Sequence, residues 1–286
     1  MTKKIFITTI FLLVSYCLLL NLKKVESLCK PQNIWQENMV RLQDYVYGSI
    51  NSERVIIGSS LSMRITILND NYYSLAAGGG NPFIGLEILK YKSGNVKKVL
   101  IETNYLLTKS PSDDKYTGEL FKPIVYNLRA YFPVLLVKNQ PFSVLGTFLM
   151  HRMILSKILE SNGKVRNGLD RTKEKRIAAF KKDYSDSILV KNLVEMNISR
   201  LKVYYRFFKM KGIDLIFYEM PVDCSLENDP LPVYCRRMVD NFCKTYNIKQ
   251  IKLDSCNKYE TSDGNHLTDE SGIRYSHFFY SEIENK

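Results

Sequence analysis

Short apolar runs alternate with longer amphipathic stretches along most of this chain. The short runs are aliphatic or β-branched and end at turn residues, which predicts buried parallel strands. These predicted strands cover residues 52–58, 72–76, 98–103, 213–218 and 248–253. Helices are predicted between them, over 186–211, over 233–246 and from Pro82 to the break at Gly94. The alternation predicts an α/β domain with a mainly parallel five-stranded sheet between two layers of helices.

Residues 105–185 interrupt this alternation and predict an insertion at the rim of the sheet. The part through Leu159 is aromatic and aliphatic, whereas the part from Lys164 to Lys182 is strongly basic. The insertion could be a lid, a membrane-surface patch or a partner site. It could equally be a helical excursion packed on the sheet with a solvated basic turn.

An apolar run from Ile5 to Leu22 stands between two lysine pairs at the N-terminus. Its length of ~18 residues is near the minimum for crossing a bilayer. The run ends in bulky leucines without the small residues of a cleavage site. We therefore expect a transmembrane signal anchor over 1–24, a connector over 25–50 and a domain over 51–286 outside the cytoplasm. The alternative is a cleaved signal and a secreted protein.

Charge and cysteine content narrow the classes of partner and compartment. The net charge of +12 favours an anionic partner, although a basic solvated surface explains it equally well. We find no nucleic-acid-binding motif and therefore expect no nucleic-acid partner. Six cysteines without C-x-x-C spacing argue against zinc and suit one or two disulfides in an exported domain. Free buried thiols are the alternative, and the spacing leaves the pairing open.

A candidate nucleophile follows the first predicted strand, in Gly58-Ser59-Ser60-Leu61-Ser62. A serine at the carboxyl edge of a parallel sheet projects outward, but it needs a positioned base. His266, in Asp263-Gly264-Asn265-His266, is the best of three histidines, because Asp263 can orient its ring. His151 in the insertion and His277 in a predicted terminal helix are expected to be structural, and His277 is the reserve base.

An oxyanion site can be assembled from the ends of the first three strands. The backbone N–H of Ser60 is one candidate donor. Glycine at position 79, in the run Gly78-Gly79-Gly80, would let a second N–H approach a substrate closely. The side-chain amide of Asn104, at the end of the third strand, would be the third donor. A flexible turn for the glycines and a strand-end cap for Asn104 are the alternatives.

These four segments together resemble the SGNH/GDSL hydrolase family, whose fold is a flavodoxin-like α/β/α sandwich. Residues 58–62 resemble its Gly-Asp-Ser-Leu-Ser block, residues 75–79 its glycine block, residues 101–104 its Gly-x-Asn-Asp block, and residues 263–266 its Asp-x-x-His block. The resemblance implies a Ser60–Asp263–His266 triad and an oxyanion hole of Ser60, Gly79 and Asn104. Ser59 departs from the family's Asp, Glu102 from its Gly, and Tyr105 from the Asp after Asn104.

The resemblance also implies a function, which the residues alone do not show. A Gly-Ser-Ser version on a membrane anchor is similar to cell-envelope members that add or remove acyl groups, often acetyl, on surface polysaccharides. Those members often act beside a multi-spanning membrane acyltransferase, which makes such an enzyme a candidate partner. No metal ion or organic cofactor is implied. The rival functions are a non-catalytic, tethered glycan-binding or partner-recruiting protein and a lipase- or thioesterase-like hydrolase.

Overall fold

The structure, a computed structural model, describes residues 2–20, 31, 33–108, 113–140, 169–183, 187–253 and 255–284. The described residues fall into two compact units. One unit takes its residues from Met1–Gly48 and Glu119–Lys164, and the other from Ser49–Gly118 and Val165–Lys286. Every residue of the predicted active site belongs to the second unit.

The helices are, in chain order, α1 Thr2–Leu20, α2 Ile34–Tyr47, α3 Pro82–Tyr91, α4 Asp113–Leu120, α5 Pro123–Tyr131, α6 Leu169–Asp183, α7 Ser187–Met210, α8 Cys224–Glu227, α9 Pro230–Tyr246 and α10 Asp269–Glu284. The three predicted helices of the sheet domain correspond to α3, α7 and α9. Helix α9 begins three residues before its predicted start, because Pro230 opens its first turn and the Asp229 side chain accepts a hydrogen bond from the Leu231 N–H.

All five predicted strands are present in the second unit, and the α/β prediction is confirmed. The strands are β1 Arg54–Ile57, β2 Tyr72–Ser74, β3 Lys98–Glu102, β4 Asp214–Tyr218 and β5 Lys249–Ile251. They form one sheet in the order β2-β1-β3-β4-β5, and every neighbouring pair is parallel. Strands β2, β1 and β3, which are followed by the first three predicted site blocks, are therefore neighbours in the sheet.

Both faces of the sheet are covered by helices. Consecutive residues of a strand point to opposite faces, and β4 shows this with two aromatic residues. The ring of Tyr218 packs edge-on against Phe279 of α10, with centroids 4.9 Å apart. The ring of Phe217 stacks on Phe242 of α9, with centroids 5.8 Å apart. Burial on both faces explains why the strands are continuous apolar runs without polar alternation.

The predicted insertion is divided between the two units. From Glu119 onward, its aromatic part belongs to the first unit. There the rings of Tyr47 and Tyr126 lie 5.5 Å apart, and the Tyr47 hydroxyl donates to the Leu120 carbonyl at 2.6 Å. Its basic part contributes α6 to the second unit. His151 and the apolar residues of 141–159 lie outside the described residues, so a lid or partner site there stays a prediction.

The N-terminal apolar run is helical over Thr2–Leu20, with most of its apolar side chains exposed. Within the part of the chain that the structure describes, no helix combines the length and the apolarity needed to cross a membrane. The predicted anchor is therefore not supported here, and residues 21–24 lie outside the described part. Helix α2 occupies most of the predicted connector.

One disulfide bond joins Cys224 at the start of α8 to Cys256. Cys235 and Cys243 on α9 are free and buried. The sequence left open disulfides or free buried thiols, and the described residues contain one disulfide and two free buried thiols. Cys29 and the side chain of Cys17 lie outside the described residues. The disulfide, together with the Asp223 N–H donating to the Gly264 carbonyl at 2.8 Å, ties α8 to the loop that carries Asp263.

Candidate active site

Ser60 lies in the tight turn that follows β1, with Ser59 and Leu61 buried on either side of it. A single 3-10 turn, Ser62–Arg64, follows it. The Leu61 N–H donates to Ser59 Oγ at 3.1 Å and closes the turn locally. Ser60 is therefore the partly exposed member of an otherwise buried turn.

Ser60, His266 and Asp263 form one hydrogen-bonded chain. Ser60 Oγ lies 2.8 Å from His266 Nε2, and His266 Nδ1 lies 2.9 Å from Asp263 Oδ2. The second carboxylate oxygen of Asp263 accepts the backbone N–H groups of His266 at 2.8 Å and of Asn265 at 3.0 Å. The Asp263 side chain thus fixes both the backbone of its own loop and the ring of His266. The ring in turn lies against Ser60.

Asp263 is held in its charged form. Burial alone would raise the pKa of Asp263, but hydrogen bonds from the backbone and ring of His266 and from Asn265 lower that pKa to about 2. A carboxylate that stays ionised throughout the neutral range can stabilise the imidazolium that forms when His266 takes a proton.

A cation from the predicted insertion reaches the same carboxylate. Arg176 on α6 donates from Nη1 to Asp263 Oδ2 at 3.0 Å, and Lys173 of the same helix pairs with Asp223 at 3.1 Å. The sequence placed Arg176 in a basic segment of undetermined role. No local pattern could have linked two residues that are 87 positions apart.

Glu102 is a fully buried carboxylate beneath the serine turn, at the end of β3. Its oxygens accept the Ser59 N–H at 2.8 Å, the Ser59 hydroxyl at 2.8 Å and the Ser62 N–H at 3.3 Å. The Ser62 hydroxyl also donates to Glu102. Burial, the largest influence, raises the pKa of Glu102, and these hydrogen bonds oppose that rise. Glu102 therefore fixes Ser59 and Ser62, the residues on either side of the Ser60–Leu61 pair.

Gly58 is required by this arrangement. A Cβ at position 58 would lie 2.4 Å from Glu102 Oε2 and 2.2 Å from Ser62 Oγ, far inside van der Waals contact. The Gly58 carbonyl accepts the Ala77 N–H at 3.0 Å, which fastens the segment after β2 to the turn after β1. The first two predicted blocks are thus side by side.

Gly79 lies two residues past Ala77, which makes this link between the blocks. It has φ of +68°, in the left-handed region that favours glycine, and no atom within 4 Å of a Cβ built on it. The residue is exposed. A flexible turn and a donor site open to a substrate both fit this geometry.

Asn104 follows β3, at the same edge of the sheet. Its Nδ2 donates to the Met220 carbonyl at 2.9 Å, and its Oδ1 accepts the Met220 N–H at 2.7 Å. This pair of bonds fixes the plane of the amide against the end of β4. Because a primary amide carries two hydrogens, the second remains able to donate to another group.

Tyr105 joins the site although the sequence marked it only as a departure from a family block. Asn265 Nδ2 donates to the Tyr105 hydroxyl at 2.7 Å. Burial and then the Glu102 charge raise the pKa of Tyr105 to about 12, while hydrogen bonding with the side chains of Asn265 and Ser60 opposes the rise. The phenol is therefore neutral and keeps a hydrogen to donate. The only available signal was its position next to Asn104.

His277 lies on α10 with an exposed side chain. Its ring contacts neither Ser60 nor Asp263 in the hydrogen bonds of the described residues, whereas His266 contacts both. In the described ranges, no group of three or more His, Cys, Asp or Glu side chains is placed to hold a metal ion.

Comparison with known proteins adds no family assignment. No protein-family model matches the chain, and no curated protein matches its sequence. The chemical interpretation of the site therefore depends on its own geometry.

Proposed function

We propose that this protein is an SGNH-type serine hydrolase or acyltransferase, which forms an acyl-Ser60 intermediate. The observation that carries the proposal is the Ser60–His266–Asp263 chain, with separations of 2.8 and 2.9 Å. A nucleophile hydrogen-bonded to a base that is oriented by a carboxylate is the arrangement that activates serine. The parallel sheet, with each site segment at a strand's carboxyl end, adds support.

The first half-reaction transfers the acyl group to the enzyme. His266 Nε2 takes the proton of Ser60 while Oγ bonds to the ester carbon and the carbonyl electrons move onto oxygen. Donors at Ser60, Gly79 and Asn104 hold that oxyanion. The carbonyl then re-forms, the bond to the alcohol oxygen breaks, and His266 returns the proton to the leaving alcohol.

The second half-reaction removes the acyl group from Ser60. His266 takes a proton from an incoming hydroxyl, whose oxygen attacks the acyl-Ser60 carbonyl. Collapse of the new tetrahedral intermediate breaks the Ser60 ester and returns the proton to Oγ. Water as acceptor makes the protein an esterase, and a sugar hydroxyl makes it a transferase. The proposed substrate is an O-acetylated glycan at the cell surface, with the protein tethered outside the cytoplasm.

A fluorophosphonate probe tests the proposal directly, because it phosphonylates only a serine that a neighbouring base activates. We expect labelling of the full chain at Ser60, mapped by peptide mass spectrometry, together with hydrolysis of 4-nitrophenyl acetate. A folded protein that neither reacts with the probe nor hydrolyses the ester favours the non-catalytic rival. Faster turnover of long-chain than of acetyl esters favours the lipase-like rival.

Replacing Asn104 with alanine is expected to lower kcat for 4-nitrophenyl acetate by about 100- to 1,000-fold, the usual effect of losing one oxyanion donor. Steady-state kinetics provides the measurement. The matched control is Asn95→Ala, at an exposed position next to Asn51 that is expected to leave the rate unchanged. A full rate in Asn104→Ala would exclude its amide from the oxyanion hole.

Replacing Tyr105 with phenylalanine is expected to lower kcat by about 10- to 100-fold, since a hydrogen bond to a developing charge contributes about 1.5–3 kcal/mol. The ring is retained, so packing changes little and KM should hold. The exposed Tyr91 provides the control, because Tyr91→Phe should keep the wild-type kcat. A wild-type kcat in Tyr105→Phe would mean that the hydroxyl only positions Asn265 and takes no part in the reaction.

A further inference from the structure

A cavity of about 100 Å³, partly open to solvent, adjoins the triad in the second unit. Asn104, Tyr105 and Asn265 line the side nearest the triad. The link to the triad is direct, because the Asn265 N–H bonds Asp263 and its side chain bonds Tyr105. A group bound in this cavity would therefore contact side chains that are hydrogen-bonded to the triad or adjoin it.

The other side of the cavity carries a cluster of three charged residues from the end of β4, α8 and α9. Arg236 Nη1 lies 3.2 Å from Glu219 Oε1 and 3.3 Å from Glu227 Oε1. All three side chains are largely covered by protein. Burial raises the pKa of Glu219 to about 7 and also raises the pKa of Glu227, with Arg236 opposing both shifts. Burying charges is unfavourable, and a cavity for an acyl chain would need only apolar walls.

One oxygen of this cluster has an unmet hydrogen-bonding capacity. Glu227 Oε2 is buried and accepts no hydrogen bond from any described residue. Buried polar atoms without a partner are rare in folded proteins, and such an acceptor can be satisfied by a ligand donor or by an ordered water. Since Glu227 lines the cavity, a ligand in the cavity can supply that donor.

The charge balance of the cluster selects the class of ligand. Because the pKa of Glu219 is about 7, its carboxyl group is partly protonated at neutral pH, and the cluster with Arg236 carries little net charge. The cluster therefore gives no strong attraction to an ion and suits a neutral ligand. Hydroxyl groups can donate to carboxylates and accept from a guanidinium at the same time. The remaining walls suit the C–H faces of a ring, and include Leu107, Val222, Leu226, Pro232 and Val239.

We propose that this cavity binds a neutral sugar ring of the glycan, and that Glu227 and Arg236 recognise its hydroxyl groups. The inference rests on the proposed function, since it takes the neighbouring triad to be catalytic, but sugar binding itself can be measured without turnover. An anionic polymer would have to bind elsewhere on the chain.

Kinetics with three esters tests the assignment on the full chain. In Glu227→Ala, kcat/KM for 6-O-acetylglucose is expected to fall at least tenfold further than kcat/KM for 4-nitrophenyl acetate, chiefly through KM. Glu227→Gln, which keeps an acceptor oxygen, should recover part of that loss. The control Glu195→Ala, on the exposed side of α7, should keep wild-type values. Equal falls for both esters would overturn the assignment. So would a larger fall for 4-nitrophenyl octanoate, which would assign the cavity to an acyl chain.

Binding separates this inference from the proposed function. Saturation-transfer NMR with methyl α-D-glucopyranoside should show contact with the Ser60→Ala protein and a loss of that contact on adding Glu227→Ala. If the wild type hydrolyses no ester but binds the sugar through Glu227, the proposed function fails and the cavity assignment stands. Sugar binding that is unchanged by Glu227→Ala would refute the assignment, whatever the esterase result.

Discussion

Ser60→Ala is expected to lower kcat for 4-nitrophenyl acetate by at least about 10⁴-fold, the largest effect of any single change in this chain. Ser60 is the hydroxyl that lies within hydrogen-bond distance of His266 Nε2, the proposed base. His266→Ala should lower kcat by about the same factor. The double variant should be no slower than either single variant, because the two residues act as one unit.

The measurement is a single-turnover and steady-state comparison of Ser60→Ala with wild type, using Ser281→Ala on the exposed end of α10 as the matched control. Circular dichroism shows whether both variants keep the fold. Retention of more than a tenth of the wild-type rate in Ser60→Ala would disprove the acyl-Ser60 mechanism. Multiplicative losses in the double variant would mean that His266 acts in a separate step.

The sequence predicted the sheet because its strands are buried on both faces. Such strands are short apolar runs, and each run here stops where the chain reaches the polar carboxyl edge of the sheet. The same property made Ser60 predictable, since it stands just beyond the first run. His266, 13 residues beyond the last run, was predicted as the histidine that has an Asp placed to orient its ring. Asp263 followed from its spacing of three residues before His266, which a single turn converts into a contact.

The rest of the site could not be predicted, because it depends on side chains far apart in the sequence. Arg176 reaches Asp263 from a helix within the predicted insertion. The cavity brings together Glu219, Glu227 and Arg236 from three elements, and each residue alone is ordinary. Likewise, the spacing of the cysteines along the chain does not indicate that Cys224 pairs with Cys256. Contacts of this kind are fixed by the packing of helices on the sheet, which local periodicity does not specify.

Glu102 and Ser59 are two departures from the blocks of the SGNH family that the sequence resembles, and the structure joins them into one interaction. In the family these positions are usually Gly and Asp. Here the carboxylate stands at position 102 and the hydroxyl at position 59, where Ser59 Oγ donates to Glu102 Oε1 at 2.8 Å. An Asp at 59 would bring a second carboxylate against Glu102 in a fully buried place, and like charges there are strongly unfavourable.

Glu102→Ala is expected to lower the free energy of unfolding by at least about 3 kcal/mol, because it leaves the buried N–H and O–H groups of Ser59 and Ser62 without their acceptor. Loosening the turn that carries Ser60 should also lower kcat. Urea denaturation at pH 7 gives the first quantity and 4-nitrophenyl acetate kinetics the second. Glu195→Ala, which removes an exposed glutamate, should change the free energy of unfolding by less than about 0.5 kcal/mol.

A double-mutant cycle isolates the coupling between the two departures. Ser59→Asp alone and Glu102→Gly alone should each destabilise the protein, the first through carboxylate repulsion and the second through lost hydrogen bonds. Their combination recreates the usual family pair and should be more stable than the sum of the single effects predicts, by at least about 1 kcal/mol. If the two losses of unfolding free energy simply add, Ser59 and Glu102 stabilise the turn independently. The carboxylate at position 102 would then not compensate for the absence of one at position 59.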